Sequence, residues 1–240
     1  MIRTIAVLTF VALAMVSVLP LLILWTLLTG DASFMYQRFI GALRISLRLA
    51  GIRVRVEGLE KVPAGVCVFA SNHASNVDPV ALTPNIPRRV ALLAKKEVFG
   101  IPILSKAIRL AKLIPVDRAD KEAAAESVDI AVGYLKDGMS FLVFPEGTRS
   151  RDGRLLPFKK GTFLMAIRAG AWVVPVSLAG TQRLMRKGDW TIHPGEVVVR
   201  YGPAVNAAQY SEEQRDELRL RVQQLVADGL PEEQKPSAGQ

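Results

Sequence analysis

Across 240 residues the chain has one cysteine, Cys67, and two histidines, His73 and His193. A lone thiol can form neither an intramolecular disulfide nor a redox pair, and so few soft ligands leave no cysteine-rich zinc site. No G-x-S-x-G run is present, so the chain lacks the serine elbow of the α/β-hydrolases. Charge is missing too: nothing between Thr4 and Gly30 is ionisable, and Leu, Val, Ala, Ile and Phe dominate that stretch. Beyond a basic balance nothing marks a nucleic-acid binder: no zinc spacing, no aromatic ribonucleoprotein pattern and no recognition helix. Neither a metal nor a resident cofactor is expected, and no nucleic-acid partner.

The uncharged run is the first positive signal. At about 1.5 Å per residue it is long enough to cross a hydrocarbon core of about 30 Å. It is longer than a signal-peptide core of about 7–15 residues and ends in no A-x-A site, so an uncleaved membrane anchor is expected. Pro20 is tolerated in such a helix and marks a place where it can kink. Residues 34–49 follow with Phe39, Leu43 and Leu47 on one helical face and Gln37, Arg44 and Arg48 on another, a basic amphipathic helix suited to the headgroup plane. Residues 1–50 are therefore read as a membrane-anchoring helical segment, 51–227 as the globular domain and 228–240 as a polar, disordered tail. Basic residues on the C-terminal side of the apolar run place the domain on the cytoplasmic face of a cell or inner membrane.

The formal charge of +9 is uneven. Residues 51–205 carry 23 basic and 14 acidic side chains, whereas 206–240 carry four and seven. A basic domain beside a basic amphipathic helix implies an anionic partner, either a bilayer surface or a phosphorylated substrate.

After Gly51 short β-branched runs alternate with helical stretches. Strands are expected at 52–56, 65–70, 90–94, 113–116, 140–144, 172–178 and 196–201, and helices at 98–112, 121–136, 162–169 and 211–227. Asp120 and Gly138 bracket the second helix, and Ser211 with Gln214 forms a possible capping box for the last. The alternation predicts an α/β fold, a central, mostly buried sheet flanked by helices. Cys67, inside Val66-Cys67-Val68-Phe69-Ala70, reads as strand core.

The chemistry concentrates at strand ends. In Ser71-Asn72-His73-Ala74-Ser75-Asn76-Val77-Asp78-Pro79, a carboxylate stands five residues after a histidine. Asp78 can hold one ring nitrogen while the other accepts a proton, and histidine is the side chain whose ordinary titration lies near neutral pH. On a helix five residues rotate about 140°, so the two must meet across a turn, with Asp78 expected to cap a helix beginning at Pro79. Phe144-Pro145-Glu146-Gly147-Thr148-Arg149-Ser150 sets hydroxyls and a guanidinium beside a glycine that permits close approach, a combination suited to a phosphate. Leu113-Ile114-Pro115-Val116-Asp117-Arg118 delivers another arginine. Lys95 and Lys96 are further phosphate candidates, and Lys159-Lys160-Gly161 before a helix is another anion site by geometry. Trp172-Val173-Val174-Pro175-Val176-Ser177 reads as sheet core that could also line a channel for an alkyl chain. His193 reads as a solvated surface residue.

Taken in order, Asn72-His73-x4-Asp78, Ile114-Pro115-Val116-Asp117-Arg118, Phe144 to Ser150 and Val174-Pro175-Val176 resemble the four blocks of the glycerolipid acyltransferases, and among them the lysophosphatidic acid acyltransferases. The resemblance spans roughly residues 50–205. It implies acyl transfer from acyl-CoA or acyl carrier protein, a co-substrate in either case, to the free hydroxyl of lysophosphatidic acid. It also implies His73 as general base, Asp78 as its orienting partner, and Arg118, Glu146, Gly147, Thr148 and Arg149 in the acceptor's glycerol-phosphate site. Other acceptors within the superfamily stay open (glycerol 3-phosphate, a lyso-ornithine lipid, another lysophospholipid), as does, from another class, a non-catalytic basic membrane-surface protein.

Overall fold

The computed structural model describes residues 1–95, 100, 102–110, 114–116, 121–186 and 188–236. Its centre is an eight-stranded sheet: β1 (Ile52–Glu57), β2 (Cys67–Ser71), β3 (Val90–Lys95), β4 (Ile114–Val116), β5 (Ser140–Val143), β6 (Trp172–Ala179), β7 (Gly195–Tyr201) and β8 (Val205–Asn206). The order is β1-β7-β6-β2-β5-β3-β4, with β8 added to β6. β2 pairs in parallel with β5 and β6, and β3 with β4 and β5, so the carboxyl ends of these five strands lie along one edge. β7 runs antiparallel to β6 and parallel to β1. Loops at the carboxyl ends of parallel strands are where α/β sheets place their ligands.

Period-two alternation sends each strand's side chains into two cores. Val68, Ala70, Phe141 and Val143 face one, closed by Phe163, Leu218 and Val222 of helices α7 (Gly161–Ala169) and α9 (Arg215–Asp228). Cys67, Phe69, Leu142, Val174 and Val176 face the other, closed by Leu47 of α3 (Ser33–Ala50) and Ala81 of α4 (Val77–Leu82). β6 is thus sheet core, as its pattern suggested. Cys67 is fully buried there, and desolvation pushes its thiol pKa up while Arg88 beside it acts the other way. Pro175 can sit inside this central strand because the pairing on that flank changes partner around it, from β8 at Trp172 and Val173 to β7 from Val176 onward.

The helix expected at 121–136 is found as α6 (Lys121–Lys136), with Gly138 beyond it at φ +89°; Asp120, its expected cap, lies outside the described residues. Of the helix expected at 98–112, the described part is α5 (Pro102–Leu110). α9 starts at Arg215, later than expected, although the Ser211 amide does donate to Gln214 Oε1 at 3.0 Å.

The N-terminus is a helical hairpin. Residues Ile2–Thr29 form one long apolar helix with a mean hydropathy of 2.7 in its most apolar window. Its halves, α1 (Ile2–Leu13) and α2 (Leu19–Thr29), are joined by a π-helical turn, Ala14–Val18. That wider turn precedes Pro20, whose ring would otherwise meet the carbonyl four residues back. α3 folds back along it. Of the apolar stripe expected to face the headgroup plane, Phe39 is exposed, whereas Leu47 is buried against the domain together with Ser46 and Ala50, because two steps of four residues rotate the stripe by about 80°.

The tail also differs from expectation over its described part, which ends at residue 236. Leu230 and Gln234 are buried, and Leu155 N donates to Gln234 O at 2.8 Å. Its polarity is absorbed by hydrogen bonds to the domain, which composition alone does not show.

Candidate active site

β2 ends at Ser71, and the chain leaves the sheet edge through Asn72, which is buried. Asn72 Nδ2 donates to Leu178 O at 2.9 Å, and Leu178 N donates to Asn72 Oδ1 at 2.8 Å. The side-chain amide thus extends the β2–β6 ladder by one rung and fixes where the next residue begins.

That residue is His73. Its Nδ1 lies 2.7 Å from Asp78 Oδ2. The same oxygen accepts from Ala74 N at 2.7 Å and Ser75 N at 2.8 Å. Asp78 is 0 % exposed, and its hydrogen bonds all fall on Oδ2, while Oδ1 is buried with no partner among the described residues. The two residues meet across a turn, as the spacing demanded, but Asp78 is not the helix cap. α4 begins at Val77, with Asn76 preceding it, and Asp78 sits in its first turn, where a negative charge suits the helix dipole. Ser75 Oγ donates to Met185 O at 2.7 Å and accepts from Val77 N at 3.1 Å, pinning the turn from the other side.

The imidazole lies against Phe144, with centroids 4.2 Å apart and planes at 23°. The histidine side chain is 16 % exposed, and no described residue bonds its Nε2. Asp78 on Nδ1 and a phenyl ring on one face leave one orientation in which Nε2 meets an incoming group. Phe144 was not singled out from the sequence as a site residue; its position directly before Pro-Glu-Gly was the available signal.

The third block wraps the histidine's backbone. Glu146 Oε1 accepts from His73 N at 2.8 Å, and Ser150 N donates to His73 O at 2.8 Å. Glu146 is only 3 % exposed, and burial pushes its pKa up to about 8, with the Asp78 charge adding to the rise and the His73 amide opposing it. Glu146, expected in the acceptor site, is buried, and its Oε1 is turned toward the histidine's main chain. Gly147 holds φ +70°, and a Cβ there would come within 2.9 Å of Lys159 Cε. Thr148 is exposed beyond it. Arg149 Nη1 donates to Asn76 Oδ1 at 2.8 Å, which ties a guanidinium to the rim of the histidine turn.

The remaining expectations divide. Lys95 closes β3 at the same sheet edge. Lys96 and Arg118 lie outside the described residues. Lys160 is paired with Asp216 at 2.8 Å, whereas Lys159 lays its stem over Gly147. His193 is exposed.

The buried Glu146 has a measurable consequence. The folded chain holds its proton up to about pH 8, while the unfolded chain releases it near 4.5. Its contribution to stability is full below 4.5 and is lost as pH rises through about 8, on the order of a few kcal/mol over the window. Thermal melts between pH 5 and 8.5 should therefore show stability falling with pH, and Glu146→Gln should flatten that slope. Parallel slopes in the two proteins would contradict this assignment.

Residues 53–179 match the family model described as Acyltransferase. The chain is 34% identical over 232 residues to a 1-acyl-sn-glycerol-3-phosphate acyltransferase of Limnanthes douglasii, covering 96% of this chain and 82% of that one. It is 29% identical over 199 residues to the enzyme of the same name from Borreliella burgdorferi, covering 82% and 79%. In three dimensions it resembles the crystal structure of the 1-acyl-sn-glycerophosphate acyltransferase PlsC of Thermotoga maritima, with a TM-score of 0.79 and 28% identity over 95% of this chain and 94% of that one. All four blocks fall within the span these relatives share, and the chain belongs to the acyltransferase family, with 1-acyl-sn-glycerol-3-phosphate acyltransferases as its relatives.

Proposed function

We propose that the protein transfers an acyl chain from a thioester, of CoA or of acyl carrier protein, to the free hydroxyl of lysophosphatidic acid, giving phosphatidic acid. The observation that carries this reading is the 2.7 Å contact between His73 Nδ1 and a fully buried Asp78, which leaves Nε2 as the one ring nitrogen available to a substrate. Nε2 takes the proton of the acceptor hydroxyl as its oxygen attacks the thioester carbonyl. The tetrahedral intermediate then expels the thiolate, which the imidazolium protonates. Asp78 holds the tautomer and stabilises the imidazolium in between. The nucleophile is the substrate's own hydroxyl, which accounts for a site built without a serine elbow or an accessible thiol. Arg149, tied to Asn76, stands at the rim where the acceptor phosphate would lie, with Arg118, Lys95, Lys96 and the Gly147–Thr148 turn as its expected companions.

An acceptor panel tests the substrate. With one thioester held fixed, lysophosphatidic acid should give the highest kcat/KM among lysophosphatidic acid, glycerol 3-phosphate, a lyso-ornithine lipid and lysophosphatidylcholine. Preference for any of the other three would transfer the assignment to that acceptor.

The same proposal places the enzyme on a membrane, facing the cytoplasm. Near one end of the long helix Arg3 Nη1 donates to Ala50 O at 3.3 Å and Thr4 Oγ1 accepts from Ile192 N at 3.0 Å; toward the other, Ile23 packs with Met35 and Ala107. A helix crossing a core of about 30 Å must carry one end far from its domain. Both ends here touch it, which favours a hairpin lying in the bilayer surface, with Ile5, Leu8, Trp25, Leu28 and Phe39 exposed to lipid. The protein should sediment with membranes, resist alkaline carbonate and come off in detergent. Deleting residues 1–30 should weaken that association without abolishing it, since α3 remains. Recovery of the full chain as a soluble monomer without detergent would contradict the placement.

A further inference from the structure

Gln234 lies far from the four blocks in sequence and beyond the 53–179 family match. It sits in a short 3-10 turn, Glu232–Gln234, and is 1 % exposed. A glutamine buried so deeply near a chain end needs a reason, because its amide must find partners inside the fold.

Its partners belong to two different loops. The Gln234 carbonyl accepts from Leu155 N at 2.8 Å, and its side-chain Nε2 reaches Gly153 O at 3.5 Å. Its side-chain Oε1 accepts from Gly180 N at 3.3 Å. Arg154 Nη1 adds a bond to Lys235 O at 3.3 Å. The first loop, 150–155, follows the third block, and its Ser150 N grips the His73 carbonyl. The second leaves β6 at Gly180, enters the short helix α8 (Thr181–Leu184) and presents Met185 O to Ser75 Oγ. Just upstream, Leu178 exchanges two hydrogen bonds with Asn72. The loops joined by Gln234 are thus the two that hold the His73–Asp78 turn from opposite sides.

Both residues that the side-chain amide bonds are glycines in the left-handed region, Gly153 at φ +85° and Gly180 at φ +96°. A Cβ at Gly180 would lie 2.5 Å from Glu196 O, so the backbone there admits no side chain of its own. The amide that bonds both glycines is the side chain of Gln234.

We propose that Gln234 is a positioning residue for acyl transfer: its amide staples loop 150–155 to the β6–α8 corner and so fixes the turn that aims His73 at the reacting hydroxyl. This rests on the reading of His73 as the general base. The staple does not touch substrate, so its removal should affect the chemical step and leave binding alone.

The test uses the full-length enzyme in detergent micelles. Gln234→Met keeps length and volume and deletes the side-chain hydrogen bonds, whereas Gln234→Glu keeps the acceptor for Gly180 N and loses the donor to Gly153 O once its carboxyl is ionised. Glu233→Ala, which removes only an exposed ion pair with Arg183, is the control. Gln234→Met should lower kcat per folded molecule roughly tenfold, with KM for both substrates changed by less than about twofold. The downfield proton signal of the His73–Asp78 hydrogen bond should weaken in the same variant. Gln234→Glu faces a carboxyl to Gly153 O and should lose kcat at high pH, where that carboxyl ionises, and regain it at low pH, where its hydroxyl can donate. Glu233→Ala should match wild type. Wild-type kcat in Gln234→Met, or a loss wholly explained by a smaller folded fraction, would overturn the proposal. If His73→Ala turns over like wild type in the same assay, the reading of His73 has failed, whatever Gln234 does.

Discussion

His73→Ala should reduce phosphatidic acid formation by about 10²–10⁴-fold while the melting curve and far-ultraviolet spectrum stay near those of the parent. The size follows from the step it removes, since without Nε2 the attacking hydroxyl must lose its proton to water. The fold should survive because the turn is held by main-chain bonds that alanine keeps: His73 N to Glu146, Ser150 N to His73 O, and the Ala74 and Ser75 amides to Asp78. Asp78→Asn should be nearly as severe for a different reason. Asparagine's one carbonyl oxygen can take some of the three donors that Asp78 Oδ2 takes, but it cannot stabilise an imidazolium and need not select the Nδ1–H tautomer. His193→Ala, far out on the surface, should change nothing. Steady-state rates on these three variants separate the base from its partner and from a bystander; wild-type turnover in His73→Ala would remove the mechanism.

The second large effect is expected on acceptor affinity. Lysophosphatidic acid differs from a neutral monoacylglycerol by its phosphate, and charge-assisted hydrogen bonds to such a group contribute about 1.5–3 kcal/mol each, or on the order of ten- to a hundredfold. Arg149→Ala and Arg118→Ala should therefore raise KM for lysophosphatidic acid more than KM for the thioester. Arg149 is anchored through Asn76 beside the histidine turn, so its guanidinium approaches the site in a fixed orientation. Replacement by lysine should restore binding only in part, because an ammonium lacks the planar fork. Varying each substrate in turn measures this. If both variants lose affinity for the thioester and keep it for lysophosphatidic acid, the arginines serve the donor's phosphates instead.

Much of this was legible in the chain because the relevant signals are local. A strand of apolar residues, a glycine past a helix and a carboxylate five residues from a histidine can be read without tertiary knowledge, and β2, α6 and the His73–Asp78 contact are found where those signals put them. What stayed hidden depends on partners distant in sequence. Glu146 reads as one more acceptor-site residue beside Gly-Thr-Arg, and only the sheet edge shows it buried and bonded to a main-chain amide 73 residues away. Gln234 sits in a polar, proline-containing run whose composition suggests disorder, yet its hydrogen-bonding groups are met by residues 54 to 81 positions away. Leu47 shares a four-residue spacing with Phe39, but that spacing drifts by about 80° around the helix, so Leu47 packs into the domain while Phe39 stays on the outer face.

The central claim is that the acceptor hydroxyl attacks the thioester directly under His73, with no acyl group passing through the protein. Rapid mixing of enzyme with acyl thioester, without and with lysophosphatidic acid, tests it most directly. Thiol release should stay at the background rate without acceptor, and with acceptor it should rise together with phosphatidic acid, one for one, from the first turnover. A burst of thiol equal to the enzyme concentration in the absence of acceptor would reveal an acyl-enzyme and contradict the account.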